Sequence, residues 1–166
     1  MDELLDRELI ESLKSQIIDK IYEIKSIATQ FENLMNEYSN NKNMASDAVE
    51  QLIEYRKAYV EEKEELAITF TGNMGKKRQE SMQIFLEALD KRIREAETEI
   101  IPDIAKKIDV LETKKEYYNK KKIEIQKQLE TYEVSNASAV ELQTLLTTAT
   151  TITKNGMTEL KVYLVE

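Results

Sequence analysis

The chain has 166 residues, of which 34% are charged, with three glycines, one proline and no cysteine, histidine or tryptophan. This composition suits long helices rather than a compact globule, excludes disulfides and thiolate metal sites, and removes the commonest general base and metal ligand. The net charge of −8 repels phosphate and argues against nucleic acid or an anionic membrane as partner.

The first 66 positions carry one unbroken apolar column: Ile10, Ile17, Ile24, Phe31, Tyr38, Ala45, Leu52, Tyr59 and Leu66, each seven residues after the last. A seven-residue repeat keeps one stripe of a slightly under-wound helix against a partner helix. The spacing predicts a helix over about 3–68. A second column holds Leu13, Ile27, Leu34, Ala48 and Tyr55. Ser39-Asn40-Asn41-Lys42-Asn43 is weak helix material, because Asn and Ser compete with the backbone for hydrogen bonds. The heptad phase nevertheless survives it, so a continuous helix is expected, with Asn41 at a register-fixing position.

Phe70-Thr71-Gly72-Asn73-Met74-Gly75 ends this helix, since Gly and Asn tolerate the left-handed conformation that stops helices. A short turn between long helices implies an antiparallel hairpin. The second helix is expected over about 76–133, on a stripe of Met82, Leu86, Leu89, Ile93, Ala96, Ile100, Ile104, Ile108, Leu111, Tyr118, Ile125, Leu129 and Tyr132. From Ala96 to Ile108 the stripe steps four, four, four, one residue more than the repeat allows, and Pro102 lies inside that stretch. Proline removes a helical donor and clashes with the preceding turn. A kink or π-bulge near 100–104 is the expected response; the alternative is two helices abutting at Pro102. Pairing Leu66 with Met82 makes partner numbers add to about 148 and sets Pro102 opposite the Asn-rich stretch, where a bend is expected.

Residues 134–137 break the second helix. Ser138 and Glu141 form a capping box opening a third helix on Val140, Leu142, Leu145, Leu146, Ala149 and Ile152, expected to fold onto the open end of the hairpin and to end at Gly156. Residues 160–165 read as a strand or extended tail. The expected fold is therefore all-α: a long antiparallel, coiled-coil-like hairpin over 1–133, with a turn at about 69–76 and a kink near Pro102, followed over 134–166 by a short helix and an extended tail.

The carboxylates along both helices lack the His that a di-iron bundle site needs, and they read as solvated faces. Lysines 114, 115, 120, 121, 122 and 127 interleave with Glu112, Glu116 and Glu124 at ion-pair spacing,. No phosphate loop or nucleophile motif is present, so neither enzymatic activity nor a cofactor is expected. No apolar run approaches the roughly 20 residues that span a bilayer. Met1-Asp2-Glu3 lacks the basic start of a Sec signal peptide, which points to a cytoplasmic protein, or to one exported by another route with a partner. The seam residues, including Leu86, Ile93, Ile104, Leu111, Tyr118 and Ile125, are the candidate partner-binding residues, toward another long-helix protein or a second copy.

A helix, an aromatic-x-Gly turn at Phe70-Thr71-Gly72 and a second antiparallel helix resemble the W-x-G hairpin superfamily of type VII (ESX) secretion, with Phe in place of Trp. The layout of 3–133 also resembles the longer helical accessory proteins encoded beside LXG toxins. That resemblance implies a targeting chaperone that binds the helical N-terminal stalk of a toxin. The superfamily's export signal, Tyr-x-x-x-Asp/Glu, is not matched: Tyr132 is followed at that spacing by Asn136, and Tyr163 reaches Glu166 at three. A partner would supply it. The alternative reading is a coiled-coil scaffold or spacer that self-associates through the seam.

Overall fold

The computed structural model describes residues 2–69 and 72–164. Among the described residues the regular structure is entirely helical: α1 (Asp2–Thr69), α2 (Asn73–Glu95), a π-helical segment (Ala96–Ile100), α3 (Ile101–Ser135) and α4 (Ala139–Leu164). The chain divides into two compact units, one of residues 1–35 with 109–166 and the other of residues 36–108. The first is a three-helix unit and the second a two-helix unit.

α1 runs unbroken through the Asn-rich stretch. Continuity of the buried stripe outweighs the few tenths of a kcal/mol per residue that Asn costs in helix propensity. Asn41 is exposed, so it does not fix register as a buried polar group would.

In the two-helix unit α1 and α2 run antiparallel. Lys63 Nζ donates to Gln83 Oε1 at 2.6 Å, and Arg56 grips the Asp90 carboxylate, with one guanidinium nitrogen 3.2 Å from Oδ2. Both pairs of residue numbers add to 146 rather than 148. The shift follows from the turn: α2 begins at Asn73, three residues earlier than expected, which shortens the connection. Gly72 precedes α2 with φ 106° and ψ −172°, a conformation that is essentially glycine's alone, and its carbonyl accepts from Lys76 N–H at 3.0 Å. Gly75, expected in the turn, lies inside α2 and is buried. Phe70 and Thr71, the rest of the expected turn motif, fall outside the described residues.

The extra residue in the second stripe is absorbed at Ala96–Ile100, just before Pro102 rather than around it. There the Ile101 N–H reaches back five residues to the Ala96 carbonyl. The wide turn accommodates a ring that has no N–H to give the Thr98 carbonyl. The Thr98 hydroxyl donates to the Arg94 carbonyl at 2.6 Å, the same one-turn-back bond that Thr29, Thr69 and Thr113 make in regular helix. Ile100, placed on the stripe by spacing, is half exposed, because the added residue rotates it out.

α3 ends as a Schellman motif. Asn136 takes φ 56°, and the Ala137 N–H donates to the Tyr132 carbonyl at 3.0 Å, the six-to-one bond of that motif. Two residues on, Ser138 Oγ accepts from the Glu141 N–H at 3.3 Å and caps α4,.

α4 is longer than expected. It runs through Gly156 to Leu164, and there is no extended tail among the described residues; Val165 lies outside them. Leu142, Leu145, Leu146, Ala149, Thr153, Gly156 and Leu160 form its buried face, while Val140 is 76% exposed. Six of those seven fall at helical spacing around Gly156, so the glycine is part of the packing face rather than its end. α4 runs parallel to α1 and antiparallel to α3. A Cβ built on Gly156 would stand 2.8 Å from Ile27 Cδ1 and 3.0 Å from both Ile27 Cγ2 and Tyr118 Cε1, so glycine is what allows the close approach. Its intrinsic helix cost of about 1 kcal/mol is offset by the burial it allows.

At the centre Phe31 and Tyr118 stack with ring centroids 5.6 Å apart and planes 10° from parallel, and Tyr163 meets Phe31 edge-on at 6.3 Å. Tyr118 is 1% exposed. Its hydroxyl donates to Glu159 Oε2 at 3.0 Å, and Lys114 Nζ lies 3.2 Å from the same oxygen. Burial first, and then the hydrogen bond to the Glu159 carboxylate, push the Tyr118 hydroxyl above its ordinary value.

Two outcomes follow for this unit. Gly156→Ala should destabilise the protein by about 1 kcal/mol net, since overpacking costs about 1–3 kcal/mol against a propensity gain of about 1; urea unfolding followed by circular dichroism measures it, and an unchanged or raised midpoint would contradict the close approach. Because the folded state raises the Tyr118 value, that residue's contribution is complete below the unfolded value of about 10 and is lost as pH rises beyond it. Thermal melts between pH 8 and about 11 should show a loss that Tyr118→Phe reduces.

Candidate partner-binding face

The structure sorts the seam residues into two groups. In the three-helix unit Ile17, Ile24, Phe31, Leu111, Tyr118 and Ile125 are buried, and Ile10 is half-buried. These residues are the core of the chain itself and present no surface to a partner. In the two-helix unit Met82, Leu86 and Leu89 of the α2 stripe are buried, while Tyr38, Leu52, Tyr59, Leu66, Ile93 and Ile104 remain half-buried. Two antiparallel helices cover one stripe of each other and leave both flanks of the seam open to water.

The two flanks differ in chemistry. One is bridged by polar contacts, the Arg56–Asp90 ion pair and Lys63 on Gln83, and Gln83 Nε2 in turn donates to Glu87 within α2 at 3.4 Å. The Asp90 carboxylate raises the Arg56 guanidinium above its ordinary value through hydrogen bonding and charge. The other flank is aromatic. Tyr59 and Phe85 meet across the helices with centroids 4.8 Å apart. Tyr55 stacks on Tyr59 at 6.3 Å and meets Phe85 edge-on at the same distance. Tyr55 is 55% exposed and Phe85 40% exposed.

Helical spacing extends this aromatic flank. At about 100° per residue, Met44, Ala48, Gln51, Tyr55 and Glu62 share one face of α1, and Arg78, Phe85, Leu89 and Arg92 share the corresponding face of α2. Met44 is 69% exposed. The α1 side of the flank carries Glu62 and no cation, since Arg56, Lys57 and Lys63 turn elsewhere. The α2 side carries Arg78 and Arg92, while Glu80, Glu87 and Asp90 lie toward the polar flank.

Tyr55 and Tyr59 stand four heptads after Ile27 and Phe31. Ile27 and Phe31 are the α1 residues against which α4 packs, at Gly156 and Tyr163. The aromatic flank thus occupies, by heptad position, the place that the other unit fills with a third helix. The two-helix unit contains no third helix among the described residues.

Phe85 went unnoticed in the sequence because it sits beside the stripe residue Leu86. The pairing rule held the signal, since Phe85 and Tyr59 fall nearly opposite once partner numbers are added. The Arg56–Asp90 pair was legible in the same way.

Among the described residues, no helix is long and apolar enough to cross a membrane, and no group of three or more acidic side chains is placed to hold a metal ion. Comparison of the chain with protein-family models, with curated proteins and with solved structures finds no match in any of the three.

The flank and the seam should respond differently to truncation. Tyr55→Ser should leave the urea midpoint almost unchanged, within about 0.5 kcal/mol as for other surface sites, whereas Leu86→Ala should cost about 2–5 kcal/mol. Equal losses would mean that Tyr55 belongs to the core.

Proposed function

We propose that the chain is a non-enzymatic helical interaction module whose two-helix unit receives a helix from another protein. The observation that carries this reading is the aromatic flank of Tyr55, Tyr59 and Phe85, at the heptad position where the other unit seats α4. Aromatic side chains are enriched at the centres of protein interfaces, where they bury large area at low entropic cost. A helix laid into a groove between two helices is a recurring recognition mode. The absence of His and Cys from the sequence leaves few groups suited to acid–base or nucleophilic work near neutral pH.

The role that best joins this surface to the sequence is an accessory or targeting chaperone for the helical region of a secreted toxin of the LXG type, acting in the cytoplasm and leaving the cell, if at all, with its partner. The resemblance at Phe70-Thr71-Gly72 supports that assignment. The second reading, a self-associating coiled-coil scaffold, is favoured by the opposite charges on the two sides of the flank.

Co-expression with the long-helix protein encoded beside this chain tests the first reading. The expected result is a stable complex that survives size exclusion and is lost in Tyr55→Glu. Failure to form a complex with any neighbouring gene product would count against it.

A further inference from the structure

The chain contains one Asn-Gly dipeptide, Asn155-Gly156, and it lies inside α4. Asparagine before glycine is among the pairs most prone to deamidate, because glycine has no side chain to screen its amide nitrogen from the neighbouring carboxamide. The same missing Cβ is what lets α4 approach α1, since a Cβ at Gly156 would stand 2.8 Å from Ile27 Cδ1. The packing thus demands at position 156 the residue that makes Asn155 labile. Asn155 itself is exposed, whereas Gly156 is buried. We propose that Asn155-Gly156 is a spontaneous deamidation site held closed by the docking of α4, so that undocking of α4 is chemically recorded and then made permanent.

The reaction needs no agent but water. With its proton lost to hydroxide, the Gly156 nitrogen attacks Asn155 Cγ. The new N–Cγ bond closes a succinimide ring, the Cγ–Nδ2 bond breaks, and ammonia leaves with a proton taken from water. Water then opens the ring at one carbonyl or the other, giving aspartate or isoaspartate. The helix blocks the first step twice. It commits the Gly156 N–H to the carbonyl four residues earlier, that of Ile152, and it holds the Asn155 backbone at a helical ψ, which keeps the carboxamide carbon away from the nitrogen. Neither block survives without tertiary contacts, because seven threonines and a glycine give α4 little helical stability of its own,. The lock is therefore the apolar face of α4, with Leu142, Ala149 and Leu160 buried. The two products differ in consequence. Aspartate leaves the main chain intact and adds a charge at an exposed position. Isoaspartate routes the main chain through the side-chain carbon and lengthens it by a methylene. That shifts Gly156 against Ile27, where there is no room for a further carbon atom.

Timed incubation of the full chain near neutral pH, followed by mass spectrometry of the tryptic peptide 155–161, is the test. The chain in denaturing urea sets the unprotected rate. The folded chain should deamidate about ten-fold or more slowly, since only its open fraction reacts. Ile27→Ala removes the side chain on which Gly156 rests and should speed the folded reaction about ten-fold or more, with circular dichroism confirming that the variant is folded. Urea below the unfolding midpoint should quicken the reaction progressively in the unaltered sequence, which needs no substitution. Asn155→Gln should abolish the mass gain. Asn155→Asp, which carries the new charge on an ordinary main chain, should melt close to the unmodified protein, and the isolated isoaspartate form should melt well below both. A folded chain that deamidates as fast as the denatured one would overturn the inference, as would a rate indifferent to both Ile27→Ala and urea. An isoaspartate form as stable as Asn155→Asp would overturn the permanence of the change.

Discussion

Two antiparallel helices can hide only one stripe each, and the residues beside that stripe stay wet unless something covers them. The architecture of this chain answers to that constraint. Where α4 is present, the heptad column is dry: Ile17, Ile24 and Phe31 are fully buried, and Phe31, Tyr118 and Tyr163 close into an aromatic layer. Where it is absent, the same column is half-buried and its neighbours carry rings into solvent. One sequence repeat therefore has two energetic outcomes, decided by whether a third helix is supplied.

The close seating of α4 depends on a residue that propensity alone would discount. Gly156 and seven threonines make α4 a poor autonomous helix. The threonine hydroxyls turn back onto carbonyls four residues earlier, as Thr147, Thr151 and Thr158 do. α4 is helical because its apolar face is buried, which is the usual source of helix stability in proteins.

Much of the fold was legible in the sequence because period and punctuation are local signals. The seven-residue column carried α1 through the Asn-rich stretch, and the four-four-four step located the extra residue that the π-helical segment absorbs. The Ser138 cap and the break before it were equally plain. The extent of α4 was not legible. Gly156 reads as a helix stop until Ile27 and Tyr118 are seen pressed against it, and residues 160–164 read as extended until Leu160 and Tyr163 are seen packed. Both are tertiary effects that local propensity does not carry. The aromatic flank was half legible: Tyr55 and Tyr59 stood on the columns, but Phe85 acquired meaning only across the helix pair. Nor could periodicity distinguish a seam that the chain closes on itself from one that it leaves open.

The connectivity of the two units has a kinetic consequence. Residues 36–108 are one continuous stretch, and their pairing grows outward from a turn at Gly72. The other unit is assembled from 1–35 and 109–166, so its first contacts must span more than seventy intervening residues. Loop closure of that size is entropically costly, and formation of the intervening hairpin removes most of the cost by bringing α3 back beside α1. During synthesis the first 35 residues must wait, apolar column uncovered, until α3 and then α4 have emerged. The hairpin thus acts as the clasp that makes the discontinuous core reachable, and the amino-terminal half of α1 is the segment exposed longest to misassociation before the chain is complete.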